Sequence, residues 1–421
     1  MEKKKFSAYD KLVITLLALT QFTVILDFMV MSPLGDFLMK SMNLHPNQFG
    51  FVVSAYAFSA GISGFLTAGF ADKFDRKKLL IFFYVGFIVG TALCGLAQNY
   101  VTLLMARIIT GIFGGVIGSI SLAIVTDLFS LDQRGRVMGF MSMGFSASQV
   151  LGLPIGLYLA NHWGWQSPFW LVVGIALIVV ILLLMRLQPV TKHLALQLDK
   201  SPLMHLIHTI KKKDYRVGFT ATGLLSVGGF MMMPFGTAFA VNNLKIAPAQ
   251  LPLLFIVAGI GSLVMMPLMG KLSDKIDKFK VFTAATIYMM IFVVIYTNLG
   301  PNPLWLIMIF NVLMMGGIFG RMIPAQALVS SIPDMQDRGA FMSVNASLQQ
   351  IAGGIAAAVA GTIVIQKTRF SPLEHYNTLG YLIVVISLIA LWLMWRVDKM
   401  VKRRRANAVE TKIPSSPVLD I

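Results

Sequence analysis

Twelve apolar runs, each long enough to cross a bilayer, constrain this chain more than any other feature. They fall near residues 12–34, 48–70, 79–98, 101–126, 137–160, 168–187, 217–241, 251–270, 280–298, 303–328, 340–365 and 379–395. A spanning helix needs about 20 mainly apolar residues, and inside a bilayer only a helix or a closed barrel satisfies its own backbone. The runs therefore predict an all-α integral membrane protein with twelve transmembrane helices. Composition agrees: 57% of the 421 residues are apolar and 13% are charged, where a soluble domain carries about 25% charge. Mean hydropathy is +0.76. The net charge of +17 would suggest nucleic acid in a soluble chain, but the Lys and Arg sit in short gaps between apolar runs. Nucleic-acid binding is excluded on that ground. The first run is longer than a signal-peptide core of about 7–15 residues and no small-residue cleavage site follows it, so it is read as a retained helix. Cys94 is the single cysteine, and no intrachain disulfide can form.

Orientation follows from the Lys/Arg bias of alternate loops. With the N-terminus inside, 29 of these residues lie on the inner side and 4 on the outer, with Arg107 and Arg321 inside spans. The expectation is a multi-pass protein of the cell inner (plasma) membrane with both termini cytoplasmic. The longest loop divides the chain into a six-helix bundle at 1–187, a cytoplasmic central loop at 188–216, a second bundle at 217–396 and a basic tail at 397–421. The loop reads as an amphipathic linker on the membrane surface. Its His193, His205 and His208 are too irregularly spaced for a metal site, and no metal is expected.

The two halves repeat. At an offset of 202, Asp72-Lys73-Phe74-Asp75-Arg76 lies over Asp274-Lys275-Ile276-Asp277-Lys278, and Pro46 and Gln48 lie over Pro248 and Gln250. With two further residues of offset, Arg134-Gly135 matches Arg338-Gly339. Each match falls at an equivalent loop. Both halves start on the same side, which predicts two bundles related by an axis along the membrane normal, a known transporter design with substrate bound near the midplane between them.

With these motifs in view the chain resembles the major facilitator superfamily over all twelve spans. The superfamily signature G-x-L-A-D-R/K-x-G-R/K-R/K reads Ala68-Gly69-Phe70-Ala71-Asp72-Lys73-Phe74-Asp75-Arg76-Lys77 here, with Ala68 and Asp75 replacing its glycines. The second copy opens Gly270-Lys271-Leu272-Ser273-Asp274 and keeps its first glycine. Arg107-Ile108-Ile109-Thr110-Gly111 is similar to the R-x-x-x-G motif of proton-coupled members, and Gly152-Leu153-Pro154-Ile155-Gly156 is a degenerate form of the antiporter motif G-P-x-x-G-G. The spacing most resembles bacterial twelve-helix drug and sugar efflux permeases. The resemblance implies that Arg107 couples protonation to substrate binding. It also implies that Asp72, Arg76 and Asp274 form a latch at the cytoplasmic face between the halves.

Asp27 is the only acid deep in a span. A carboxylate there costs about 2.5–3.5 kcal/mol on insertion scales and usually marks a pathway or proton relay. Thr20 and Thr23 precede it on one helical face and suggest a polar stripe facing a cavity. Arg107 lies at a compatible depth in the fourth run and is the expected counter-charge. Arg321, in the tenth run, is a candidate gate, and Asp127 is interfacial. Uncharged candidates for a substrate cavity are Gln21, Thr23, Tyr56, Gln149, Asn311, Asn345 and Gln349. Gly144, Ser148, Gly152 and Gly156, and likewise Gly353, Ala357 and Gly361, read as close-packing seams that slide as the halves rock. Met231, Met232 and Met233 suit an adaptable apolar pocket.

These readings converge on secondary active transport, most simply proton-coupled efflux of small lipophilic or neutral compounds by a monomer. Substrate, protons and the bilayer are the expected partners, the proton gradient is the energy source, and no cofactor is expected. Uptake of a sugar or small nutrient is the alternative, and a non-transporting sensor or scaffold a remote one. An enzyme is disfavoured because all six histidines lie in loops or at their edges, and no P-loop is present.

Overall fold

In the computed structural model the described residues are 6–67, 70–191, 194, 202–334 and 337–410, with the side chains of 72, 131–132, 202–205 and 405–410 outside the description. Twelve helices are long and apolar enough to span: Ala8–Val30, Pro46–Thr67, Arg76–Leu96, Tyr100–Leu128, Gln133–Trp163, Ser167–Arg186, Lys213–Asn242, Pro248–Lys275, Lys278–Thr297, Leu304–Val329, Arg338–Ile363 and Tyr376–Arg404. They are numbered spans 1 to 12 below. An even number of spans puts both chain ends at one face, the terminal face; the opposite face is called distal.

Local chemistry sets the helix starts. Ser7 and Asp10 cap span 1 reciprocally at 3.0 and 2.9 Å, and Asn99 with Thr102 does the same for span 4. Each satisfies backbone N–H groups that have no partner inside the helix. Helices outrun their apolar runs where the flanking polar residues are good helix formers. Span 7 begins at Lys213, and the last helix continues through its basic residues to Glu410. The central segment contains a helix, Pro202–Lys211, whose Leu206 and Thr209 are buried.

The sequence repeat reappears as a repeat of packing. Spans 2–4, 3–4, 1–5, 3–6 and 1–6 pack in the first half, and spans 8–10, 9–10, 7–11, 9–12 and 7–12 pack in the second. Adding six to each number maps one set on the other. The main contacts between halves, spans 2–11 and 5–8, also exchange under that operation. Large apolar side chains such as Phe82, Ile178 and Met185 are exposed on the outside, where lipid is the solvent. Several polar side chains deep within the spans, among them Thr20, Asp27, Thr91, Arg107 and Ser121, are buried.

Two seams behave differently. On span 5, Gly144 meets Ala18 and Phe22, Ser148 donates to the Phe22 carbonyl at 3.1 Å, Gly152 meets Leu26, and Gly156 meets Val30. That stripe runs along span 1 of its own half, turn by turn, so it is an internal seam and not a surface sliding between halves. It includes a widened π turn at Ser148–Gly152 just ahead of Pro154, the usual cause of such a break. On span 11, by contrast, Gly361 faces the backbone of Pro46 and Asn47 across the halves. At Gly50 of span 2 an added Cβ would lie 2.7 Å from the Ala357 carbonyl.

The distal face is tied between halves. Ser32 donates to the Met233 carbonyl, Asn242 donates to Asp36 at 2.7 Å, Arg369 to Asn43 at 2.7 Å, and Asn161 to the Pro248 carbonyl at 3.2 Å. Spans 5 and 8 touch from that last bond to mid-depth, where Gly259 meets Gln149 and Val150. Towards the terminal face they part, leaving Met143 and Val264 exposed.

Candidate functional site

Asp27 lies one turn before the end of span 1, and Arg107 two turns into span 4, so both fall in the distal half. The structure brings them together: Arg107 Nη1 donates to Asp27 Oδ2 at 2.9 Å, with side-chain exposures of 1% and 0%. The guanidinium also sits 4.4 Å over the ring of Tyr56 in span 2, a cation–π contact worth about 2 kcal/mol when desolvated. Asp27 Oδ1 and Arg107 Nε are buried with no hydrogen-bond partner. One close hydrogen bond and one ring face hold the pair, with Thr91 beside Asp27 and Cys94 beside Arg107. Unused bonding capacity remains on both partners.

Aromatic residues connect this pair to the second half. Tyr56 packs on Phe28 at 5.2 Å, and Phe28 packs on Phe230 of span 7 at 5.8 Å. Sequence reading missed Phe28 and Phe230; the available signal was the position of Phe28 beside Asp27. It also missed Asp36 and Asn242, whose polarity beside the span ends reads as ordinary loop.

The polar stripe on span 1 does not face a cavity. Thr20 and Thr23 are fully buried; Thr20 donates to the Leu16 carbonyl at 2.8 Å, and Thr23 pairs with Tyr84 of span 3 at 2.8 Å. Asn345 is likewise spent on packing, accepting from Thr222 within the second half. Asn311 donates to the Ile307 carbonyl of its own helix at 2.9 Å and lies beside Tyr296. Gln21, against Gly118 of span 4, and Gln149 and Gln349 are half-buried. Gln149 Oε1 is buried without a partner beside the span 5–8 contact. Of the cavity candidates, Gln21, Gln149, Asn311 and Gln349 keep partial exposure. Thr23, Tyr56 and Asn345 are buried.

The latch residues are distributed otherwise than expected. The Asp72 side chain lies outside the description. Arg76 pairs with Asp127 of span 4 at 3.3 Å, inside its own half. Asp274 is exposed and has no partner among the described residues. The aspartates three residues further on do the holding. Asp75 caps span 3 and accepts from the backbone of Val190, after span 6, at 3.0 Å. Asp277 caps span 9 and pairs with Lys402, at the end of the last helix, at 2.8 Å. In each half, the residue that replaces the signature's second glycine fastens the loop after the second span to the chain leaving the sixth. The hydrogen bond from Lys402 holds the Asp277 carboxyl below its ordinary 3.8. A lowered value means stability present above the carboxylate range and lost as pH falls through it. Asp277→Asn is expected to cost about 0.2–1 kcal/mol at pH 7, and thermal melting of both proteins should show that difference vanishing below about pH 4.

Among the described residues no cluster of His, Cys, Asp or Glu could hold a metal ion. The profile of the Major Facilitator Superfamily matches residues 17–235 and again 218–419. The chain belongs to this superfamily. It is a transporter with twelve membrane helices, not an enzyme, and superfamily members bind small-molecule substrates. An uncharacterised MFS-type transporter of Bacillus subtilis, YceJ, is 26% identical over 270 residues, covering 64% of this chain and 68% of that one. A probable sugar efflux transporter of Helicobacter pylori strain J99 is 24% identical over 378 residues, covering 89% of this chain and 92% of that one. Among solved structures, an inward-facing, unoccupied bacterial homologue of the human lysosomal transporter Spinster superposes with a TM-score of 0.74 at 16% identity, over 95% of this chain and 99% of that one.

Proposed function

We propose that this superfamily member is a proton-coupled exporter of small lipophilic or neutral compounds, with Asp27 as the proton carrier and Arg107 as its switchable counter-charge. The observation that supports this most is the fully buried Asp27–Arg107 pair, which is joined through Tyr56, Phe28 and Phe230 to the opposite half. A carboxyl with no exposure cannot exchange its proton in this arrangement. Separating the halves at the distal face would open the route to it, so proton loading and conformational change are one event. The Lys/Arg bias supports a cytoplasmic terminal face in a bacterial inner membrane, and the distal ties between halves would then close the outer side. Asp36, Asn242, Asn43 and Arg369 act as the outer gate. The sugar-efflux relatives support the direction of transport, and the sparse intramembrane charge argues for substrates without multiple charges.

The test is made in proteoliposomes carrying an internal pH dye. A panel of lipophilic drugs and neutral sugars is added outside, and proton movement is read against compound movement. Opposite directions are the expected result. Movement in the same direction would make the chain an uptake symporter, and no compound-dependent proton movement would remove proton coupling from the account.

A further inference from the structure

Arg321 is a charged residue inside span 10, and unlike Arg396 of span 12, which lies over the Trp392 ring, it has no partner among the described residues. Its exposure is 9%, its Nε is buried without a partner, and no described residue bonds or pairs with it. It lies about two turns from the terminal end of span 10. On its helical face it follows Met314 and Gly317 and precedes Ala325 and Leu328, all buried. Ala325 and Leu328 belong to an apolar cluster with Phe219 and Phe282. One turn on, Pro324 interrupts the helix and leaves the Gly320 carbonyl without its usual donor.

Among the described residues, the second half offers this cation no anion of its own. Asp214 pairs with Arg404, Asp277 and Asp398 with Lys402, Asp334 and Asp337 with Lys212, and Glu374 with Lys367. Asp274 is exposed at its span end. Asp27, the acid within the spans of the first half, is engaged by Arg107. Buried charges are normally paired, because an unpaired one forfeits its hydration with no return. A guanidinium kept unpaired at membrane depth fits a ligand that brings the missing charge.

We propose that Arg321 anchors the single anionic group of a ligand, a carboxylate or sulfonate carried on an apolar body. One arginine among apolar neighbours matches one charge and an apolar remainder, and it does not match a phosphate ester, which would call for a cluster. This goes beyond the exporter reading by giving its substrates an acidic end. It rests on that reading for the role of the ligand, while the test below reads binding alone, so the two can fail separately.

The purified full chain in detergent is melted with benzoate and with benzamide, its uncharged counterpart. Benzoate is expected to raise the melting midpoint in a saturable way and benzamide to leave it unchanged. Arg321→Lys should raise benzoate's half-saturating concentration about tenfold, because it keeps the charge and loses the bidentate fork. Arg321→Met should abolish the benzoate effect and raise the ligand-free midpoint above wild type, because it removes an uncompensated charge. Equal response to benzoate and benzamide, or a benzoate effect that survives in Arg321→Met, would overturn the proposal. So would a ligand-free midpoint lower in both variants than in wild type, which would make Arg321 a packing residue.

Discussion

Arg107→Gln is expected to destabilise the detergent-solubilised protein by about 3–5 kcal/mol, the cost of breaking a buried pair from one side. The reason lies in what remains. Asp27 would keep a fully buried carboxylate whose second oxygen already has no partner, and Tyr56 would lose the cation over its ring. Asp27→Asn should be milder, since an amide oxygen can still accept from the guanidinium. The double substitution should recover most of the Arg107→Gln loss, because it removes both charges together and two buried neutral amides can bond each other. Replacing a whole buried pair is often nearly neutral. Thermal melting of the four proteins closes the cycle. A coupling of about 2 kcal/mol or more is predicted, and additivity within about 0.5 kcal/mol would show that the two groups do not act as a unit.

Charge rarity made this pair legible from sequence. Inside runs that are otherwise apolar, an acid and a base at compatible depths have few alternatives to each other. The number of spans and their repeat were legible for a related reason: both depend on which residues interrupt the apolar runs. The uncharged polar residues were less readable. A spanning helix surrounded by lipid and by other helices is apolar on nearly every side, so its periodicity does not say which face turns inward. Thr20 and Thr23 share a face with Asp27, yet that face meets span 3, and Tyr84 satisfies Thr23 there. Asn311 and Asn345 are bonded within their own half for the same reason. The small-residue stripe of span 5 shows the complementary case. Its spacing predicts close packing correctly, but its partner is span 1 of the same half, and a pattern on one helix carries no name for the helix it meets. The aspartates at 75 and 277 looked like departures from a motif, and their use as caps and fasteners depends on chain that returns more than a hundred residues later.

Asp27→Asn carries the largest expected effect on function. An asparagine can keep the hydrogen bond to Arg107, so the pair's geometry and the rocking of the halves should survive. What it cannot do is take up and release a proton. Exchange of compound down its own gradient should therefore continue, and transport driven uphill by a pH gradient should fall to background. The most direct measurement places wild type and Asp27→Asn in matched proteoliposomes, with a transported compound, and records compound exchange without a pH gradient and accumulation with one. The account predicts exchange in both proteins and accumulation only in wild type. Accumulation that persists in Asp27→Asn would contradict it, and would leave the buried pair a packing element.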